Sequence, residues 1–246
     1  MSHRLASLPA LVIELIFAII HPSECLKFRR LCHATNAILT SRHFARLSLQ
    51  RHLPSTPPPR VSKDPTLLDR IWFHWPDHFQ DLYATLWLRE CTEIRWRNCN
   101  LSGVIPPSIG HLHNLTYLSL ASNHLHGTLP DSLTSLTNLT HLFLSGNALT
   151  GRLPGNLFTA LPHLSHASLR ANCLSGALPE STRPALRELY LDCNAFDGAP
   201  APDLVRALKG LRGEYLRGNA FARGEVCAAR WRGVGRAAEV GVAPCV

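Results

Sequence analysis

The sequence predicts an α/β fold: a solenoid with a parallel concave sheet, preceded by a small helical unit at the amino end. Three observations carry that prediction. Residues 115–138 read LTYLSLASNHLHGTLPDSLTSLTN and residues 139–163 read LTHLFLSGNALTGRLPGNLFTALPH, one pattern written twice at a spacing of 24 to 25 residues. Such a period marks stacked supersecondary units that bury a continuous core only together. An asparagine recurs in register at Asn123, Asn147, Asn172, Asn194 and Asn219. A glycine follows it four residues later, at Gly127, Gly151, Gly176 and Gly198, and most are followed by x-x-Pro. Helix breakers recurring in register exclude a long helical chain.

The units start at Cys91, Leu115, Leu139, Leu164 and Leu186, with a degraded sixth copy at Leu211; together they span residues 91–221. Each opens on a short alternating run: Ile94-x-Trp96, Leu118-x-Leu120, Leu142-x-Leu144, Ala167-x-Leu169 and Leu189-x-Leu191. Alternation of that kind is a half-buried strand. The chain must turn inward after each strand, which buries backbone groups. An asparagine amide carries donor and acceptor together and satisfies them. In the first unit Cys99 stands at that position.

This Leu-x-x-Leu-x-Leu-x-x-Asn-x-Leu-x-Gly-x-Leu-Pro pattern resembles the plant-type subclass of leucine-rich repeats over about residues 91–200. The resemblance implies a protein-binding solenoid. Side chains alternate along a strand, so residues between the core leucines face outward. The candidate partner-binding residues are therefore Arg95, Arg97, Tyr117, Ser119, His141, Phe143, His166, Ser168, Arg170, Glu188, Tyr190 and Asp192, with Glu93 beside them and Tyr215 and Arg217 in the degraded unit. Phe143 and Tyr190 are then aromatics with no folding reason to be exposed, and Tyr and Arg are enriched among binding hot spots.

The net charge of +8 belongs to the ends: residues 1–66 and 206–246 are basic and the middle is slightly acidic. No basic stripe with interleaved aromatics runs along the repeats, so nucleic acid is not an expected partner. None of the eight cysteines forms a C-x-x-C pair, which leaves a zinc site unsupported. The cysteines read as free thiols of a reducing compartment. Three sequons, at Asn100, Asn114 and Asn138, point the other way, although N-L-S and N-L-T fall out of the repeat pattern itself. His111-x-His113 and His124-x-His126 sit on turns and the rim without convergent acids, as surface histidines. With no phosphate loop and no Gly-x-Ser-x-Gly, no enzyme activity, cofactor or metal is expected.

The amino end carries a second pattern. Leu8-Pro9 is followed by an apolar run through Ile16, Phe17 and Ile20, by a helix start at Pro22-Ser23-Glu24, and by Phe28-Arg29-Arg30-Leu31-Cys32 before Phe44. Residues 1–51 thereby resemble an F-box. The usual acid two places after Leu-Pro is Leu11 here, and Thr35 and Asn36 replace a common aromatic. The resemblance implies that Leu8, Pro9, Ile16, Phe17, Ile20 and Leu31 contact a Skp-type adaptor of a cullin–RING ubiquitin ligase. Two other readings remain open. One is a signal or anchor segment, which Glu14 interrupts and no A-x-A site closes; the run is too short to span a membrane. The other is an unrelated helical cap.

Residues 52–66 hold a cluster of prolines and read as an extended linker. In residues 67–90 a helix after Trp75-Pro76-Asp77 presents Phe79, Leu82, Tyr83 and Leu86 on one face, as a cap over the first repeat. Trp72, Phe73, Trp75 and Phe79 read as its core. Residues 222–246 have no period and read as a C-terminal cap or a tail. The expectation is thus an intracellular F-box substrate receptor that binds its target on the concave face. The alternative is a secreted or membrane-tethered recognition module of the receptor or inhibitor type.

Overall fold

The computed structural model describes residues 20, 24, 33–39, 41–54, 60–179, 186–197 and 218–220. The helical part comprises α1 (His33–Leu39), α2 (Arg42–His52), α3 (Leu67–Trp72) and α4 (Asp77–Leu86), with β1 (Val61–Ser62) between α2 and α3. The repeats contribute β2 (Glu93–Arg95), β3 (Ser102–Val104), β4 (Tyr117–Ser119), β5 (His124–Thr128), β6 (His141–Phe143), β7 (Ala148–Gly151), the short helix α5 (Leu157–Ala160), β8 (His166–Ser168), β9 (Cys173–Gly176), β10 (Glu188–Tyr190) and β11 (Ala195–Phe196).

Two parallel sheets form one solenoid. The concave sheet runs in the order β1-β2-β4-β6-β8-β10, and a second sheet in the order β11-β9-β7-β5-β3. The second sheet is the path the chain takes through its Leu-x-Gly segment. Gly127 and Gly151 sit at φ +77° and +75°, and a Cβ on Gly151 would lie 2.8 Å from Thr128 Cγ2. A side chain there is refused by both backbone and space, which explains the glycine in register. The far side is built from 3₁₀ turns at Pro107–His111 and Asp131–Ser135 and from α5.

Between the sheets lies a continuous leucine core. Leu118, Leu142, Ala167 and Leu189 stack with Ile94, all fully buried. Beside them runs the asparagine ladder. Asn147 Oδ1 accepts from Leu125 N at 3.0 Å, while its Nδ2 donates to Leu120 O and Leu144 O, both at 3.0 Å. Asn123, Asn172, Asn194 and Asn219 repeat that pattern. The amides of Asn123, Asn147, Asn172 and Asn194 thus each bond their own repeat and the one before it.

The cap differs from the expected division into helical unit, linker and repeats. β1 lies in the segment read as linker, yet pairs in register with β2, Val61 with Glu93 and Ser62 with Ile94. Trp96 Nε1 donates to Ser62 Oγ at 2.8 Å. That strand covers the sheet edge which the first repeat would otherwise leave open. Helix α2, capped by Ser41 Oγ accepting from Phe44 N, buries Phe44, Ala45, Ser48 and Leu49. Phe44 meets Phe79 of α4 edge-on at 6.1 Å. The helical unit and the repeats therefore share one core rather than holding two.

Helix α3 begins with a capping box, Thr66 Oγ1 accepting from Asp69 N and Asp69 Oδ2 from Thr66 N. Asp69 Oδ1 also receives Tyr83 OH at 2.7 Å. Trp72 Nε1 and Gln80 Nε2 donate to each other's backbone carbonyls. Trp72, Phe73, Trp75 and Phe79 are all buried, so the aromatic cluster is cap core, as its spacing suggested.

Candidate functional site

The strand register arranges the outward residues of the concave sheet in columns. One column runs Glu93, Tyr117, His141, His166, Glu188; the next runs Arg95, Ser119, Phe143, Ser168, Tyr190. Adjacent strands stand ~4.8 Å apart, so planar side chains in one column stack. Tyr117 stacks on His141 with centroids 5.2 Å apart, and His141 on His166 at 4.6 Å with planes only 2° apart. Phe143 closes against Tyr117 at 5.5 Å and His141 at 6.0 Å. The Arg95 guanidinium lies 3.9 Å above the Tyr117 ring and is anchored by Glu93 Oε2 at 2.7 Å. A cation over an aromatic face is a favourable contact. The result is a continuous pile of rings on a rigid sheet.

Both histidines are oriented by the residue before them. His141 Nδ1 lies 2.8 Å from Thr140 Oγ1, and His166 Nδ1 lies 2.8 Å from Ser165 Oγ. Burial is the first cause that holds the His141 pKa below its usual value, followed by the charges of His166 and Arg95, with Glu93 and Glu188 opposing. Arg170 Nε reaches Asp192 Oδ2 at 2.9 Å. Glu188 stands 4.0 Å from His166 Nε2.

Most of the twelve sequence-predicted residues lie together on this face, but not all are open. Arg95, Arg97 and Arg170 are exposed, whereas Tyr117, His141, Phe143, His166, Glu188 and Tyr190 are half-buried against column neighbours. Ser119, Ser168 and Asp192 are buried. The serines are small residues lying between large ones in their column, and Asp192 is covered by its ion pair. Alternation along a strand cannot reveal such shielding, because it arises between strands. Tyr215 and Arg217 lie outside the described residues.

Of the proposed adaptor contacts, Leu8, Pro9, Ile16, Phe17 and Leu31 lie outside the described residues. Ile20 is half-buried and packs against the core, and its carbonyl lies 3.2 Å from His52 Nε2. His111 faces Asp81 at 3.6 Å and His124 Nε2 meets Asn100 Oδ1 at 2.9 Å, both away from the concave sheet. Among the described residues no cluster of three or more metal-ligating side chains occurs. A cavity of about 310 Å³ beside β1 is lined by Val61, Ser62, Asp69 and Cys91, among others. Asp69 is engaged by Thr66 and Tyr83, and burial pushes the Cys91 thiol up to about 11, so the cavity offers neither a free base nor a thiolate.

A parallel-sheet solenoid with an asparagine ladder beneath its concave face is the architecture of leucine-rich repeats. Residues 92–149 match the leucine rich repeat family, and the parallel sheets of the chain have the leucine-rich repeat fold. No curated protein matches it at a significant level. Among solved structures it is similar to the plant peptide hormone receptor RGFR1 in complex with RGF2, at 29% identity and a TM-score of 0.51 over 55% of this chain and 22% of that one. It is similar to PEPR1 with AtPEP1 at 31% identity and 0.50, over 54% and 19%. A TDR receptor matches at 32% and 0.53, over 57% and 24%. The chain thus spans about a fifth to a quarter of the length of those proteins.

These likenesses correct the expected function. Receptors, two of them solved with a bound partner, fit the alternative of a recognition module and not an F-box substrate receptor docked on a Skp-type adaptor and cullin. The thiol reading is corrected too, because Cys173 is disulfide-bonded. Cys91, Cys99 and Cys193 form no disulfide. Among the described residues no helix is long and apolar enough to cross a membrane.

Proposed function

We propose that this chain is a recognition module of the secreted or membrane-tethered receptor or inhibitor type, and that it binds a peptide or protein segment on its concave face. One observation carries the reading. Tyr117, His141, Phe143, His166 and Tyr190 place partly exposed rings side by side on a sheet that cannot adapt. Tyr117, His141, Phe143 and His166 are already ordered by ring contacts, so a partner loses less entropy in meeting them. The peptide complexes of RGFR1 and PEPR1 support a peptide-sized partner, and the Cys173 disulfide supports an extracellular setting.

Selection of extended dodecapeptides from a displayed random library tests the reading. Peptides enriched on the wild-type chain should lose at least tenfold in affinity on Phe143→Ala or Tyr190→Ala, the scale of about 1.4 kcal/mol or more expected at hot spots. The urea midpoint of each variant should stay close to that of the wild type. Binding that survives both substitutions and disappears with His111→Ala would move the site to the far side of the solenoid and end this reading.

A further inference from the structure

The two stacked histidines have a fixed tautomer. Thr140 Oγ1 donates its hydrogen to Thr116 O at 2.7 Å, and Ser165 Oγ donates to Thr140 O at 3.1 Å. Each hydroxyl has then spent its only donor, and can only accept from the imidazole beside it. His141 Nδ1 and His166 Nδ1 must therefore carry the hydrogens. In the neutral rings both Nε2 atoms are bare acceptors. Each Nδ1 faces the hydroxyl of the residue before it on neighbouring parallel strands, and the ring planes lie 2° apart, so the two Nε2 lone pairs lie on the same side of the stack.

Beside them stands the Glu188 carboxylate, Oε1 4.0 Å from His166 Nε2. That distance is too long for a hydrogen bond, and a neutral ring would present no donor there in any case. The site is a row of three acceptors with a net negative charge. Among the described residues, the other charged and titratable groups facing it are Glu93 and Arg95 of β2, Tyr117 of β4, and Tyr190 and Asp192 around β10. Arg95 is held by Glu93 and the Tyr117 ring, and Asp192 by Arg170, so neither arginine fills the row. A metal ion does not suit it: lone pairs in parallel ring planes cannot converge on one ion at ~2.0–2.1 Å. A nitrogen bearing several hydrogens does, because one such atom bridges two acceptors 4.0 Å apart with ordinary bond lengths.

We propose that His141, His166 and Glu188 form an acceptor row that selects a basic side chain, arginine or lysine, of the segment bound on the concave face. This rests on the concave face being the partner site. Protonating His141 turns an acceptor of the row into a donor and replaces attraction by repulsion. The selection therefore operates at neutral pH and is lost in acid.

Nitrogen-15 spectra of the histidine rings in the full chain, titrated with N-acetyl-arginine amide and, separately, with N-acetyl-glutamate amide, read the row directly. At about pH 7.5 both rings should show unprotonated Nε2, and the arginine probe should shift both Nε2 resonances saturably in the millimolar range. The glutamate probe should leave them unmoved, and at about pH 5 the arginine response should vanish. His166→Phe keeps the stack and removes one acceptor, so it should weaken the response of His141 at least tenfold. Protonated Nε2 at neutral pH, no saturable shift, or equal response to both probes overturns the proposal. Capture of library peptides with a flat arginine response defeats the acceptor row alone, whereas an arginine response without any peptide capture defeats the peptide reading alone.

Discussion

Replacing Asn123 should cost more than replacing any interior rung of the ladder, and the structure says why. Asn147→Ala removes donors from Leu120 O and Leu144 O, but these carbonyls keep Asn123 and Asn172 respectively. It strands one buried group, Leu125 N. The expected loss is about 1–3 kcal/mol, the desolvation of a single orphan. Asn123 stands at the first rung, and its neighbour below is Cys99. Its Oδ1 accepts from Cys99 N and Leu101 N, both at 3.0 Å, and its Nδ2 donates to Trp96 O at 2.8 Å. Trp96 O has no second amide, because a thiol at 99 cannot supply one. Asn123→Ala thus strands Leu101 N and Trp96 O in full burial and Cys99 N in part, for about 2–6 kcal/mol. Urea unfolding followed by circular dichroism, together with hydrogen exchange at Leu101, measures the difference. Exchange is needed because solenoids can unfold in stages. Adding Cys99→Asn to the Asn123 variant should recover about one group's worth, roughly 1–3 kcal/mol. Equal losses at 123 and 147, or no recovery, would refute the double-bonding scheme.

Two further outcomes follow from the cap and its titratable groups. Phe44→Ala should destabilise the repeats along with the helices by about 3–5 kcal/mol, since Phe44 is fully buried against Phe79; a variant in which exchange protection of Leu118 is unchanged would restore the separable helical unit. His78 is held below its usual pKa chiefly by burial. Its unfolded form therefore binds a proton that the folded form resists, and stability should fall as pH drops through and below ~6.5. His78→Leu should flatten the urea midpoint between pH 7.5 and 5.5, and an unaltered slope would assign that dependence elsewhere.

The repeats were legible because the physics that builds them is local and periodic. A leucine every second position, an asparagine at the inward turn and a glycine where φ must be positive each leave one letter per unit. The second sheet left a trace as well, in the alternation of Leu125-x-Gly127 and Leu149-x-Gly151, but its residues read as turn because glycine masks a strand. β1 was not legible. Val61 and Ser62 follow a proline run and carry no period, and only the open sheet edge gives them a partner. The docking of α2 on α4 was likewise hidden: helical spacing reveals the apolar face of Phe44 and Leu49 but not what covers it. The ring pile falls between these cases. The outward residues could be read from each strand, while the stacking of His141 on His166 depends on a pairing register that no single strand contains.

The spacing of the core residues has a consequence of its own. Ile94, Leu118, Leu142, Ala167 and Leu189 are adjacent in the sheet, yet lie 24, 24, 25 and 22 residues apart in the chain. The extra residue of the longest unit is absorbed on the far side, where α5 replaces a 3₁₀ turn. The concave face thus behaves as a ruler whose graduations stay even while the tape between them stretches or shortens. Lengthening the segment around Asn156 by a residue or two should leave the strand spacing untouched, whereas the same insertion within 141–143 would shift every later mark against the partner it measures.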